Sequence, residues 1–147
     1  MPLTVVVVDD DLAYRQMVHY LLASVSDMLT IVGEAADGEE ALAVARRERP
    51  DIVITDLVMP RVDGVELTRR IRQELPLTKV ILMSSHTEDA YRLMASDSGA
   101  DAFVSKQVIN SSLLPAIHDV IRRRLSGGSG PLPPSAGAPS AWAAPSK

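Results

Sequence analysis

The chain has 147 residues, a formal net charge of −4 and no cysteine, and 46% of its residues are hydrophobic although only 3% are aromatic. This length suits a single domain with one aliphatic core, and the acidic balance argues against a nucleic-acid-binding surface. The lack of cysteine excludes a disulfide framework and a thiolate metal site, which fits a reducing cytosol. The first residues lack the order of a signal peptide, and no apolar run approaches the roughly 18 residues that span a bilayer, so we expect a cytoplasmic protein.

Five hydrophobic runs alternate with five helical patterns over residues 1–125. Short apolar runs that end in polar or turn residues, several of them rich in β-branched residues, predict buried strands. These runs cover residues 3–8, 30–35, 52–54 with an extension to Asp56, 79–83 and 102–104. Because strands and helices alternate, we expect an α/β fold: a five-stranded parallel sheet flanked by five helices, with right-handed crossovers.

Apolar residues at spacings of three and four predict a helix after each strand. Asp11, Asp37 and Asp63 precede the first three helices and can cap their first turns, and Gly99 can end the fourth. The first four predicted helices cover residues 12–25, 38 to about 49, 64–74, and 87–98 with Thr87 as its cap.

The last predicted helix contains a proline, which decides where we expect it to begin. Proline is tolerated in a first helical turn but not further in, so Pro115 places the start near Ser111 or Ser112. The helix then runs to residue 125, and its three final arginines, 122–124, are expected to be a solvated helix end.

The last 22 residues have a different composition. Nineteen of residues 126–147 are Pro, Gly, Ser or Ala, and Lys147 is the only charged residue among them. Such a segment cannot bury enough apolar surface to offset its ordering entropy, and only Trp142 could anchor it. We therefore predict a domain over residues 1–125, followed by a disordered tail or linker over 126–147.

Polar residues stand at the ends of four predicted strands. Asp9 and Asp10 follow the first strand, Asp56 the third, Ser84 the fourth and Lys106 the fifth. In a parallel sheet these ends share one edge, where ligands bind in open α/β folds. Clustered carboxylates suit a hard divalent cation such as Mg²⁺, and a carboxylate beside such an ion can act as nucleophile on phosphorus. No histidine or second acid is placed as a general base, which suits a group that receives a phosphoryl rather than turning over substrate.

From these residues the chain resembles the response regulator receiver domains of two-component signalling, of the chemotaxis-receiver kind, over about residues 3–125. The likeness rests on Val-Val-Asp9-Asp10, Asp56-Leu-Val-Met-Pro60-x-x-Asp63-Gly64, Met83-Ser84-Ser85, Gly99-Ala100-Asp101 and Lys106. The resemblance implies a flavodoxin-like, doubly wound sheet with strand order 2-1-3-4-5, an order for which the chemotaxis receiver is a standard example.

The resemblance also implies a role for each acid. Asp56 would accept a phosphoryl group from a sensor histidine kinase. Asp9, Asp10 and Asp56 would hold Mg²⁺ together with the backbone carbonyl of Val58. The protein would then be a switch that carries out only its own phosphorylation and dephosphorylation, not an enzyme.

Further positions match the family's switching machinery. By the resemblance, Lys106 contacts the phosphoryl oxygens, and Ser84 and Phe103 switch together to change a surface that binds a downstream output protein or domain. Val58 and His86 match variable positions that tune the loss of the phosphoryl group. Activated receivers of this family commonly pair through the fourth and fifth helices, which leaves a homodimer open.

One position departs from the family pattern. Many receivers have proline after the lysine, in a cis peptide, whereas here Gln107 follows Lys106. A cis bond before a residue other than proline costs about 3–4 kcal/mol, so we expect a trans loop.

Two other functions compete with a free-standing phosphorylatable switch. A phosphatase with an aspartate nucleophile, of the haloacid-dehalogenase kind, needs a second aspartate two residues after the first, where this chain has Val58. The chain could instead be the receiver part of a transcriptional regulator, with the tail as its linker, and Gln107 favours this alternative. In either case we expect no membrane binding and no specific DNA binding by these residues, which contain no recognition helix.

Overall fold

The computed structural model describes residues 2–85 and 89–125. The predicted tail at 126–147 with Trp142, the predicted cap Thr87, and His86 lie outside the described residues. Within the described ranges, no helix is both long and apolar enough to cross a membrane.

Strands and helices alternate along the chain, and all strand pairs are parallel. The sheet order is β2-β1-β3-β4-β5, which confirms the predicted fold class and strand order. The strands are β1 (Leu3–Val8), β2 (Leu29–Ala35), β3 (Ile52–Asp56), β4 (Lys79–Ser84) and β5 (Ala102–Ser105). The helices are α1 (Leu12–Ala23), α2 (Gly38–Glu48), α3 (Gly64–Glu74), α4 (Asp89–Ser98) and α5 (Ile109–Leu125), with a 3-10 turn (Lys106–Val108) before α5.

Two apolar layers cover the faces of the sheet, because alternate strand residues point to opposite sides. Val7, Ile54 and Ile81 lie in register on neighbouring strands and pack with α1 and α5. Val6 and Val53 point to the other face, which packs with α2 and α3. The central strands are therefore buried on both sides, as their unbroken β-branched runs predict.

The three predicted aspartate caps are all present. Asp11, Asp37 and Asp63 accept hydrogen bonds from backbone N–H groups in the first turns of α1, α2 and α3, at 2.9 Å in each case. Gly99 follows α4 with a φ of 92°, the left-handed conformation expected of a residue that ends a helix.

The predicted start of the last helix is wrong. Helix α5 begins at Ile109, two residues before Ser111, so Pro115 lies inside the helix and not in its first turn. Pro115 has no N–H to offer the carbonyl of Ser111, but both residues are exposed, so water can satisfy that carbonyl. The end of α1 also differs from the prediction, because the helix stops at Ala23 instead of continuing to residue 25.

Candidate functional site

The carboxyl edge of the sheet brings the predicted polar residues together. Asp56 is the last residue of β3, Ser84 the last of β4, and Asp9 and Lys106 directly follow β1 and β5. All four side chains are buried, although each leaves its strand at the rim of the fold. Asp10, beside Asp9, is exposed.

Three carboxylates form an acidic cluster at this edge. Asp9, Asp10 and Asp56 each offer a carboxylate oxygen, and these oxygens lie within 4.8 Å of one another. An all-oxygen donor set with one solvent-facing member fits Mg²⁺, which keeps several water ligands and takes few carboxylates from the protein. Val58, the further predicted ligand, lies in the loop two residues beyond Asp56, and its side chain is exposed.

Lys106 supplies the positive charge in this cluster. Its Nζ lies 2.6 Å from Asp9 Oδ2 and 3.3 Å from Asp56 Oδ2. Burial disfavours the charged ammonium, but the hydrogen bond to Asp9 and the negative charges of Asp56 and Asp9 outweigh it and raise the pKa of Lys106. The lysine therefore stays protonated inside the site.

The electrostatics of Asp56 differ from those of a surface carboxylate. Burial, and then the charges of Asp9 and Asp10, raise the pKa of Asp56 from 3.8 to about 6, although Lys106 acts in the opposite direction. Asp56 is thus deprotonated at neutral pH, but its negative charge is poorly solvated. Such a carboxylate gains free energy whenever a cation enters the cluster.

The backbone groups of Asp9 and its Oδ1 are held by hydrogen bonds to the surrounding structure. Its N–H donates to the carbonyl of Ala35 on β2 at 3.0 Å, and its Oδ1 accepts the N–H of Asp11 at 2.9 Å. The Asp9 carbonyl accepts from Arg15 Nη1 at 2.6 Å, and Arg15 Nε donates to Glu34 on β2 at 2.9 Å. These contacts fix the turn that presents Asp9 and Asp10.

Arg15 and Glu34 were missed by the sequence analysis. Arg15 lies on an amphipathic helix and Glu34 in a strand at the edge of the sheet, where charged residues are ordinary. The sequence offers one hint: Glu34 is a charged residue near the end of β2, the strand that pairs with β1 and therefore ends beside Asp9.

The loop after Asp56 packs tightly against the start of α3. The Leu57 N–H donates to the Met83 carbonyl at 2.7 Å, and the Gly64 N–H donates to the Leu57 carbonyl at 2.8 Å. A Cβ atom on Gly64 would lie 2.3 Å from the Asp56 carbonyl oxygen and 2.8 Å from Leu57 Cα. Glycine is therefore required here by the close approach of two backbone segments.

We predict that Gly64→Ala destabilises the protein by about 3 kcal/mol, since the added methyl group must displace backbone atoms of the strand that carries Asp56. Urea unfolding at pH 7 measures this loss. Glu66→Ala, in the same first turn but half-exposed, is the control and should change stability by less than about 1 kcal/mol. Equal stability of Gly64→Ala and wild type would contradict the predicted clash.

The remaining predicted residues lie behind or beside the cluster. Phe103, on β5, is fully buried and packs with Leu57, Val65 and Leu82. The peptide bond between Lys106 and Gln107 is trans, as expected. The Gln107 N–H donates to Ser105 Oγ at 3.2 Å and so starts the 3-10 turn, a hydrogen bond that proline could not make.

A doubly wound sheet whose central strand ends in a buried aspartate, beside two further acids and a lysine, is the architecture of the receiver class of signalling domains. The chain belongs to the response regulator receiver domain family, whose model matches residues 5–118. It is thus a receiver domain of a two-component system.

Named relatives support this assignment. The chain is 36% identical over 117 residues to the response regulator protein VraR of Staphylococcus saprophyticus, and 35% identical over 122 residues to VraR of Staphylococcus aureus. These matches cover 80% and 83% of the chain but 56% and 58% of the relatives, so the chain spans little more than half of their length.

Solved structures agree with the fold. The receiver domain of the response regulator NarL from Mycobacterium tuberculosis is 34% identical with a TM-score of 0.76, over 82% of this chain and 97% of that one. A LuxR-family response regulator from Aurantimonas is 29% identical with a TM-score of 0.78, over 99% of both chains. CheY from Borrelia burgdorferi, in a complex with CheX, BeF₃⁻ and Mg²⁺, is 26% identical with a TM-score of 0.75, over 82% of this chain and 90% of that one.

Proposed function

We propose that Asp56 accepts a phosphoryl group from a sensor histidine kinase, and that this modification switches a surface that binds a downstream output protein or domain. The observation that carries the proposal is the buried Asp56 carboxylate within an acidic cluster that also contains the Lys106 ammonium. Removing charge repulsion and positioning the reacting groups are the main demands of phosphoryl transfer.

In the proposed reaction, a carboxylate oxygen of Asp56 attacks the phosphorus of the kinase phosphohistidine. The phosphorus–nitrogen bond breaks, its electron pair returns to the imidazole, and an aspartyl phosphate forms. Lys106 lies close enough to Asp56 to pair with an oxygen of the bound phosphoryl group. The nucleophile must be ionised, and at neutral pH Asp56 is ionised even without a cation, because its raised pKa is about 6.

A Mg²⁺ ion would be held by Asp9, Asp10, Asp56 and the backbone carbonyl of Val58. When bound, the ion supplies the positive charge that lets anionic phosphate approach three carboxylates. The BeF₃⁻ and Mg²⁺ in the Borrelia CheY complex support a related site in this chain.

The switch is proposed to use Ser84 and Phe103. Ser84 ends the strand next to Asp56, which supports the proposal that its hydroxyl turns toward the new phosphoryl group. Phe103 lies on the neighbouring strand within an apolar cluster, so movement at Ser84 can be transmitted to β5 by repacking. An added charge of about −1.5 to −2 is sufficient to bias such a two-state surface.

The test is intact-mass spectrometry after incubation with acetyl phosphate, with Mg²⁺ or with a chelator. We expect one phosphoryl adduct on the wild-type protein, formed only with Mg²⁺, and none on Asp56→Asn. Asp63→Asn is the matched control: this aspartate caps α3 outside the cluster, and asparagine keeps the capping oxygen. An adduct on Asp56→Asn at the wild-type rate would refute the assignment.

A second candidate is that these residues are the receiver part of a transcriptional regulator. The greater length of the VraR relatives and the likeness to a LuxR-family regulator favour this candidate. It predicts that the described domain itself does not bind DNA specifically. Sequence-dependent, salt-resistant binding in a gel shift would contradict that expectation.

A further inference from the structure

Lys106 has a third neighbour besides the two carboxylates. Its Nζ lies 4.0 Å from the centroid of the Tyr14 ring, which the first turns of α1 place against the end of β5. Tyr14 is itself half-buried, and Lys106 is only 8% exposed. The ammonium is therefore enclosed by two carboxylates and an aromatic face.

An aromatic ring suits this position for two physical reasons. Its face carries partial negative charge and attracts an ammonium, and its apolar body excludes the water that would otherwise solvate the lysine. A lysine side chain is flexible and strongly hydrated, so its charge stays in one place only when the surroundings confine it. Tyr14 supplies such confinement without adding another negative charge to the acidic cluster.

A surface pocket adjoins this contact. Tyr14 and Lys106 line a pocket of about 210 Å³ together with Met17, Gln107 and Asn110, all three of them exposed. A shorter or non-aromatic side chain at position 14 would open Lys106 to water in this pocket. The ring thus limits the access of solvent to the ammonium on the α1 side of the site.

We infer that Tyr14 is a positioning residue for Lys106: its ring holds the ammonium beside Asp56 and so sets the rate at which this receiver takes up a phosphoryl group. The inference rests on the proposed function of Asp56. It assigns a role in the phosphoryl-transfer site to a residue of α1 that neither carries out the transfer nor belongs to the acidic cluster.

The first test measures Lys106 directly and needs no phosphorylation. The chain has three lysines, so labelling of each amine by acetic anhydride can be followed by peptide mass spectrometry, with Lys79 as the buried internal reference. We expect Tyr14→Leu to increase labelling of Lys106 about fivefold, because loss of the ring removes the contact that confines the amine and opens it to the reagent in the adjoining pocket. Tyr20→Leu, on the same helix but 77% exposed, is the control and should leave the labelling unchanged.

The second test is the initial rate of phosphoryl uptake from acetyl phosphate with Mg²⁺, a reaction in which the phosphorus–oxygen bond breaks and acetate leaves. We expect Tyr14→Leu to be about fivefold slower than wild type, and Tyr14→Phe, which keeps the ring face, to restore the rate. In a Lys106→Met background, Tyr14→Leu should cause no further loss, because its effect passes through the lysine.

Unchanged Lys106 labelling in Tyr14→Leu would overturn the inference, as would faster labelling with an unchanged rate of uptake. If Tyr14→Leu slowed phosphoryl uptake by the same factor in the wild-type and Lys106→Met backgrounds, the inference would also be overturned, because the role of Tyr14 would then be structural. If Tyr14→Leu does not fold, Tyr14→Met is used, since its flexible side chain fills a similar space without a ring. Failure of the wild type to take up a phosphoryl group would refute the proposed function. The labelling result would still show whether the Tyr14 ring covers the Lys106 amine.

Discussion

Asp56→Asn should stabilise the protein by about 3 kcal/mol at pH 7.5 in the absence of divalent cations. In the folded state, burial and the neighbouring acids Asp9 and Asp10 raise the pKa of Asp56 from 3.8 to about 6. A raised pKa means that folding favours the protonated carboxyl group, and asparagine is a neutral mimic of that form. A difference of about two pKa units corresponds to the stated free energy.

The direction of the pKa shift of Asp56 defines the pH range in which the stability difference changes. Below about pH 3.8, protonated Asp56 makes its full contribution to the free energy of unfolding of the wild-type protein. This contribution is lost progressively as the pH rises to about 6. The stability difference between Asp56→Asn and wild type should therefore be small at pH 3.5, grow between these values and stay constant above them. Urea unfolding across this range measures the difference.

Two controls make this prediction specific. Asp27→Asn changes an exposed aspartate in the turn between α1 and β2 and should alter stability by less than about 0.5 kcal/mol throughout. Addition of Mg²⁺ should stabilise wild type more than Asp56→Asn, because a ligand that binds the folded state stabilises it by mass action. A pH-independent stability difference between Asp56→Asn and wild type would show that ionisation of Asp56 in its buried site is not the cause.

Asp101→Ala should destabilise the protein by about 3–4 kcal/mol. Asp101 lies directly before β5, at the sheet edge opposite the acidic cluster, and is fully buried. Its Oδ2 accepts the Val80 N–H at 2.8 Å, and Arg72 and Lys79 approach its carboxylate to 3.5 and 4.0 Å. Removing one partner from a buried ionic group leaves the others uncompensated, which is strongly destabilising.

The hydrogen bond and the negative charge of Asp101 can be tested separately. Burial raises the pKa of Asp101, although Arg72 and the hydrogen bond from Val80 act in the opposite direction. Asp101→Asn keeps an oxygen that can accept from Val80 and removes a charge that burial disfavours, so it should lose less than half as much stability as Asp101→Ala. Asp97→Ala, an exposed position on α4, is the control for aspartate removal. A loss below about 1 kcal/mol in Asp101→Ala would contradict the importance of the buried network.

The fold was largely predictable from the sequence because its signals are local. Short apolar runs, most of them rich in β-branched residues, mark the five strands, aspartates mark three helix starts, and Gly99 marks the end of α4. The start of α5 was predicted wrongly, because the cost of Pro115 inside a helix depends on whether the carbonyl of Ser111 can reach water. That accessibility is a property of the packed helix and not of the local sequence.

The main residues of the candidate site were also predictable, because the strands of a parallel sheet end at shared edges. Asp9, Asp56, Ser84 and Lys106 are brought to one edge by this rule alone. Tyr14 and Met17 both belong to the three-to-four spacing that predicts α1, and this spacing does not distinguish them. In the structure Met17 is exposed and Tyr14 faces the Lys106 ammonium.

The sequence by itself thus determined which elements form and which strand ends carry the acids and the lysine, whereas the order in which the strands pair followed from the resemblance to the receiver family. Hydrophobic periodicity and capping are sufficient for the elements, and the shared edge of a parallel sheet is sufficient for the strand ends. Only the tertiary structure decided the contacts of Tyr14 and Arg15 and the pKa of Asp56 of about 6. These properties depend on burial and distance between segments far apart in the chain, and electrostatic free energies change steeply with both.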